Sequence, residues 1–257
     1  MIVPRWLSRG LAALGVAALL AGCAATPVRD DDPLEPMNRA SFKVHEVVDG
    51  HFVKPIAQAY VDYAPRIVQK AIRNFFGNID DAISAINDFL QGKPDKGGND
   101  LGRVMLNTGF GIGGLIDIAS EAGIPKGNED FGQTLGVWGF PQGPYLFIPV
   151  FGPTTVRDGT GWLIRYYIGP VGYIPDVPLR NTLYGLGGLD ARAGALPADK
   201  MVEQAALDPY AFIRRAYLQH RLFLLYDGKP PPENGDSGAG PGANGDDGKT
   251  PPEKESK

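Results

Sequence analysis

Phe131–Val156 reads FGQTLGVWGFPQGPYLFIPVFGPTTV, and the rest of the chain is interpreted from it. The run has no charged residue, carries Phe131, Trp138, Phe140, Tyr145, Phe147 and Phe151, and is interrupted throughout by glycine and proline. It is long enough for a membrane-spanning helix, which needs roughly 20 apolar residues. Pro141, Pro144, Pro149 and Pro153 exclude such a helix, because each removes a backbone donor and clashes with the preceding turn. Apolar, irregular backbone meets lipid only where protein satisfies its polar groups or where it lines a cavity. Two readings stay open from this run alone: a loop buried on a soluble core, or a surface that meets membrane or lipid.

The flanking segments are helical in pattern. Upstream, Asp32-Pro33-Leu34-Glu35-Pro36 leads into a helix expected over Met37–Val53, which Pro55 ends or kinks. Ile67, Ala71, Ile72, Phe75 and Phe76 form a helical stripe within Asp62–Phe76. Asn78 is placed to cap a further helix carrying Ile79, Ala82, Ile83, Ile86 and Leu90, stopped by Gly92 and Pro94. Lys93–Asn99 reads as a polar loop. Asp100–Gly123 is apolar and rich in small residues, with Gly109, Gly111, Gly113 and Gly114 at its centre. Each glycine costs a helix interior about 1 kcal/mol relative to alanine. The cluster therefore predicts a close backbone approach, a kink or a hinge, and Gly109 and Gly113 fit the small-xxx-small spacing of touching membrane helices.

Downstream, Trp162–Ile168 is apolar, and a Pro/Gly connector over Gly169–Pro178 carries Tyr173. Leu179, Leu183, Leu186, Leu189, Ala193 and Leu196 follow at helical spacing despite Gly185, Gly187 and Gly188. Asp208-Pro209 opens a last helix as N-cap and N1. Phe212, Ile213, Ala216 and Tyr217 give it an apolar side, Arg214, Arg215 and Arg221 are expected to face water, and Gly228 ends it. Helices throughout and no sustained alternation predict an all-α domain over 33–228. Tyr145–Val150 is the one stretch that reads as a strand. Residues 229–257 are mostly Gly, Pro, Asp, Glu and Lys, which predicts a disordered tail.

The amino terminus reads as a lipoprotein leader. Arg5 and Arg9 precede an apolar stretch, Leu11–Leu20, that is too short to span a bilayer and suits a signal peptide. Leu20-Ala21-Gly22-Cys23 has the form of a bacterial lipobox, so cleavage after residue 22 and acylation of Cys23 are expected. Residues 23–32 then form a polar tether. One buried acyl chain holds a protein only marginally, at roughly 0.8 kcal/mol per methylene; a diacylglyceryl group plus an N-acyl group on Cys23 makes a lasting anchor. Ala24, where inner-membrane retention in enterobacteria uses aspartate, points to the outer membrane.

Little suggests catalysis. The formal charge is −4 with scattered basic residues, which argues against nucleic-acid binding. Cys23 is the only cysteine, so no intramolecular disulfide exists. Gly109–Gly114 satisfies GxGxxG, with Glu129 and Asp130 about 20 residues further on. The strands that a dinucleotide site needs are absent from the pattern. Gly248-Lys249-Thr250 lacks the earlier glycine of a phosphate loop. His45, His51 and His220 complete no metal set, and no GxSxG occurs. Asp80-Asp81 and Glu129-Asp130 read as capping or solvated pairs rather than acid/base couples. No metal, cofactor or enzymatic activity is expected.

Taken together, several blocks carry a resemblance. They are the lipobox at Cys23, DPLEPMNR at 32–39, NFFGN at 74–78, NTGFGIGGLID at 107–117, FGQTLG at 131–136, GPY at 143–145, Arg157-Asp158 and Asp208-Pro209-Tyr210. In this order they closely resemble the MlaA/VacJ family of outer-membrane lipoproteins over about Cys23–Tyr226. The resemblance implies an all-α, ring-like protein in the inner leaflet of the outer membrane, enclosing an amphipathic channel. It implies trimeric porins of the OmpC/OmpF type and the periplasmic carrier MlaC as partners. The implied task is removal of outer-leaflet phospholipid to maintain lipid asymmetry. Physically, carrying a two-chain phospholipid through water exposes about thirty methylenes, roughly 25 kcal/mol, so a shielded path is needed. Trp138, Phe140, Tyr145, Phe147, Phe151, Trp162 and Tyr173 are expected to contact lipid, with Trp and Tyr at headgroup depth. Arg103, Arg157 and Arg165 are candidate headgroup contacts. The competing reading is a structural lipoprotein that braces a porin or the envelope without moving lipid.

Overall fold

The computed structural model describes residues 32–231. The leader, Cys23, the tether before Asp32 and the tail from residue 232 lie outside them. Helices dominate, joined by a single two-stranded hairpin among the described residues.

Helix α1 (Glu35–Val48) begins two residues before the expected start, with Pro36 in its first turn. It continues through a π-helical turn, Asp49–Val53, into α2 (Lys54–Tyr63). Pro55 therefore lies in the first turn of α2 and does not end the helix. The wider π turn accommodates a ring that would clash inside regular α-helix. Ala64, preceding Pro65, is extended and breaks the chain. Helix α3 (Arg66–Leu90) then runs unbroken for 25 residues. Asn78 does not cap a new helix; it lies buried mid-helix and donates from Nδ2 to Thr108 Oγ1 at 2.9 Å. Gly92 turns the chain with φ +73°. Pro94, expected as a stop, instead starts α4 (Pro94–Gly109), so the expected loop over 93–99 is largely this helix's first turns.

Each later α-helix opens on a side-chain cap. Asp117 accepts from Ser120 N (3.0 Å) at α5 (Ile118–Glu121), and Asp130 from Gln133 N (2.9 Å) at α6 (Phe131–Val137). Strands β1 (Tyr145–Ile148) and β2 (Gly152–Thr155) pair antiparallel, Tyr145 opposite Thr155. Thr155 caps α7 (Val156–Ile168), a 3₁₀ turn spans Pro170–Tyr173, and Asp176 caps α8 (Val177–Ala205). Helix α8 runs through Gly185, Gly187, Gly188 and Pro197. Asp208 caps α9 (Pro209–Leu225) with Pro209 in the first turn, and Gly228 closes it by donating to Phe223 O at 2.9 Å, as the pattern predicts.

Contacts form a closed circuit. Helix α3 packs on α4, α6 and α8, α6 packs on α7, and the 3₁₀ turn links α7 to α8. Tyr166 of α7 stacks on Tyr184 of α8 with centroids 5.6 Å apart, and Arg165 of α7 pairs with Asp80 of α3. The apolar core is small: Phe42, Tyr145, Phe147, Tyr210 and Leu218 in one cluster, Ala57, Ala193 and Leu196 in another. The largest fully buried side chains are all polar, led by Arg103, Gln133, Asn38 and Asn87.

Candidate functional site

The interior is a set of ion pairs and hydrogen bonds that fasten the loops to the helices. Arg103 of α4 donates to Asp81 of α3 (2.9 Å), to Asp117 (3.1 Å), to Ser120 Oγ (3.1 Å) and to the Ile124 carbonyl (2.8 Å). Burial raises the Asp117 carboxyl, but bonds from Ser120 and Asn107 and the Arg103 charge outweigh it and hold the group at about 2. Arg221 of α9 grips Asp158 at 3.0 and 2.8 Å and also the cap residue Asp130, while Tyr217 OH donates to Asp158 at 2.7 Å. Asn38 donates to the Tyr145 carbonyl and accepts from Phe147 N, both at 2.9 Å, and so fixes β1 to α1. Arg192 of α8 joins Asp49 of the π turn to Asp199, also on α8.

Two corrections follow. Arg214 and Arg221 do not face water but are buried, while Arg215 is exposed. Of the adjacent acids, Asp130 is a cap, whereas Asp81 and Glu129 are buried and ion-paired rather than solvated. For Arg214, Arg221 and Asp81 the signal was position: each lies one helical turn from a buried apolar residue, Leu218 for the arginines and Ala85 for Asp81, and faces inward as that residue does, whereas Glu129 lies in a loop and carried no such signal.

The glycine cluster forms a tight turn after α4. Gly113 N donates to Thr108 O and Gly114 N to Asn107 O. The helix ends at Gly109, so Gly109 and Gly113 do not share a helix face and the small-xxx-small reading fails. A Cβ on Gly111 would lie 2.1 Å from the Ile116 carbonyl oxygen and 2.5 Å from that of Asn107, both backbone atoms. Gly114 has φ +91°, against the Asn78 side chain. The turn lifts Phe110 (76% exposed) and Ile112 outward. Gly111→Ala is expected to cost about 1–3 kcal/mol through forced backbone movement. Gly113→Ala, in open space at φ +67°, should cost only about 1–2 kcal/mol of left-handed strain. Thermal denaturation of the two variants checks the order.

No helix among the described residues is long and apolar enough to cross a membrane, and no cluster of His, Cys, Asp or Glu among them could hold a metal.

The family model described as MlaA lipoprotein matches residues 30–224. The chain belongs to the MlaA lipoprotein family. It is 35% identical over 229 residues to the "Intermembrane phospholipid transport system lipoprotein MlaA" of Escherichia coli (strain K12), covering 86% of this chain and 90% of that one. Against the protein of the same name from Haemophilus influenzae it is 34% identical, covering 85% and 91%. A solved chain from work on the structural basis for maintenance of bacterial outer membrane lipid asymmetry superposes with a TM-score of 0.67 at 33% identity, covering 76% of this chain and 99% of that one.

Within this MlaA-family fold the expected lipid contacts divide. Trp138, Phe140, Phe151, Trp162 and Tyr173 are exposed. Phe151 and Trp162 lie together, centroids 6.3 Å apart, and Tyr173 OH donates to the Tyr167 carbonyl. Tyr145 and Phe147 are only 4% exposed and belong to the core. Strand alternation explains the difference: both point to the inner face of β1. The Phe131–Val156 run is thus neither wholly buried nor wholly surface. Of the three arginines, Arg103 and Arg157 are buried in structural roles, and Arg165 is exposed but paired with Asp80. Cys23 lies outside the described residues.

Proposed function

We propose that the chain is an outer-membrane lipoprotein that passes phospholipid between membranes through an amphipathic channel and so maintains lipid asymmetry. The observation that carries this is the inversion of polarity. Exposed apolar atoms are common on any protein surface, and buried polar side chains are the informative ones. Here every one of the largest fully buried side chains is polar, while Phe52, Met105, Phe110, Phe151, Tyr167 and Tyr173 are all outside. The hydrophobic effect favours that arrangement only where the surroundings are themselves apolar. The inner leaflet supplies such surroundings, with Trp138, Trp162 and Tyr173 at headgroup depth. The names of the E. coli and H. influenzae relatives support the same reading.

In this account acyl chains on Cys23 hold the protein on the periplasmic side, a trimeric porin of the OmpC/OmpF type anchors it laterally, and a soluble carrier of the MlaC type accepts the lipid. No bond is made or broken. The protein lowers a barrier, and direction comes from its partners. One experiment tests this. The acylated chain, reconstituted into vesicles containing labelled phospholipid, is expected to speed transfer to a soluble lipid-binding acceptor at least ten-fold. The Cys23→Ser chain should fail to stay with the vesicles. Transfer no faster than from protein-free vesicles would overturn the proposal and leave a bracing role.

A further inference from the structure

Where α1 meets α9, a cavity of about 470 Å³ opens between residues that begin the described fold and residues near its end. Ligand pockets run from ~300 to ~1,000 Å³. At roughly 30 Å³ per water, this one holds a headgroup-sized polar group, and its charged lining repels acyl chains. Most of its charges are already committed. Asp32 accepts from Tyr210 OH and Leu34 N and lies near Arg214. Arg39 is bidentate to Asp208, bonds Glu35 Oε1 at 2.7 Å, and lies over the Tyr210 ring, 4.6 Å from its centroid. Two lining groups, one from each helix, keep capacity. Arg215 of α9 is exposed and takes part in no ion pair among the described residues, with Gln219 one helical turn on along the same face. On α1, Glu35 Oε2 accepts no hydrogen bond among them, and the side chain is 47% exposed.

We infer that this cavity binds a zwitterionic aminoalkyl phosphate, with phosphate on Arg215 and Gln219 and ammonium on Glu35. A lone anion would meet Glu35 and Asp32, and a lone cation three guanidiniums; a molecule carrying both signs satisfies both groups. Arginine suits phosphate oxygens through its planar fork of donors. The inference deepens the transport reading, on which it rests: the cavity would read the headgroup while the tails stay outside. The same chemistry also occurs in soluble phosphoethanolamine esters.

The test uses the full chain in detergent, with mass spectrometry of retained lipid after incubation in equal phosphatidylethanolamine and phosphatidylglycerol. Titration with soluble glycerophosphoethanolamine runs in parallel. Glu35→Gln is expected to lower the ethanolamine-to-glycerol ratio at least five-fold. Arg215→Gln is expected to weaken the soluble ester at least ten-fold. A change confined to the soluble ester keeps the site and makes its ligand a soluble molecule. Wild-type ratios and affinity in both folded variants would overturn the site while leaving lipid transport standing. A wild-type chain that neither retains nor transfers phospholipid would overturn both.

Discussion

Arg221→Ala is expected to destabilise the fold by about 3–5 kcal/mol, the cost of stranding a buried charge without its partner. Arg221 is only 7% exposed. It ties α9 to Asp158 in the first turn of α7 and to Asp130 at the cap of α6. Burial alone would lower its guanidinium; the hydrogen bond and charge of Asp130, with those of Asp158, reverse that and hold the proton more tightly. Alanine would leave Asp158, 3% exposed, with Tyr217 OH as a hydrogen-bond donor and Arg157 Nε, 3.5 Å away, as its one cation. Urea denaturation in a mild detergent measures the loss. Replacing the pair together, Arg221→Met with Asp158→Asn, should recover part of it, since the Asp158 charge is no longer stranded, although buried Arg157, 3.5 Å from Asp158, loses its carboxylate partner. A single variant as stable as the parent would mean that this ion pair holds nothing.

Asp88→Asn is expected to stabilise the protein at pH 8 and to change little at pH 4. Asp88 lies on α3, fully buried, and neither carboxylate oxygen has a hydrogen-bond partner within the protein. Burial raises its pKa to about 7, helped by the neighbouring charges of Glu129 and Asp100 and opposed by Lys93 and Lys96. The folded state therefore holds this proton more tightly than the unfolded chain. The stability it contributes is whole below the unfolded value near 4 and is lost as pH rises through about 7. Asparagine has no charge to bury, so its advantage should grow over that window and level off at a few kcal/mol. Parallel pH profiles of the two proteins check this. Curves that stay a constant distance apart would show that Asp88 does not titrate there.

Much of the fold is legible in the order of the residues alone. Asp208-Pro209 opens a helix because the carboxylate takes an orphan N–H and proline fits where no N–H is needed. Gly228 ends it because the backbone there needs φ +83°. The hairpin strand is foreshadowed at Tyr145–Val150, and the absence of wider alternation gives the all-α class. Other features depend on packing and are not written locally. Asn78 looks like a cap, since asparagine favours caps, yet α4 supplies a hydroxyl that lets it stay inside a helix. Pro55 and Pro94 look like stops, but a proline in a first turn starts a helix as readily as it ends one. Arg214 and Arg221 look solvated because charged side chains seldom go inside without a partner. Their place one turn from Leu218 puts them on the inward face, but their partners, Asp32, Asp130 and Asp158, are remote in sequence, so the pairing that makes burial possible is not written locally.

The polar interior also governs how this chain can drift. An interior of side-chain volumes tolerates exchange among residues of like size. One made of directed bonds does not, because each change leaves a donor or acceptor stranded at a cost of about 1–3 kcal/mol. Positions such as Asn38, Asn87 and Thr134, each bonded through its side chain, have few acceptable substitutes. Outward positions such as Phe52, Met105, Phe110 and Phe151 make no directed side-chain bond, and Phe, Leu or Met serve alike there. Substitution is thus expected to be tolerated least at its buried hydrophilic residues and most at its exposed oily ones.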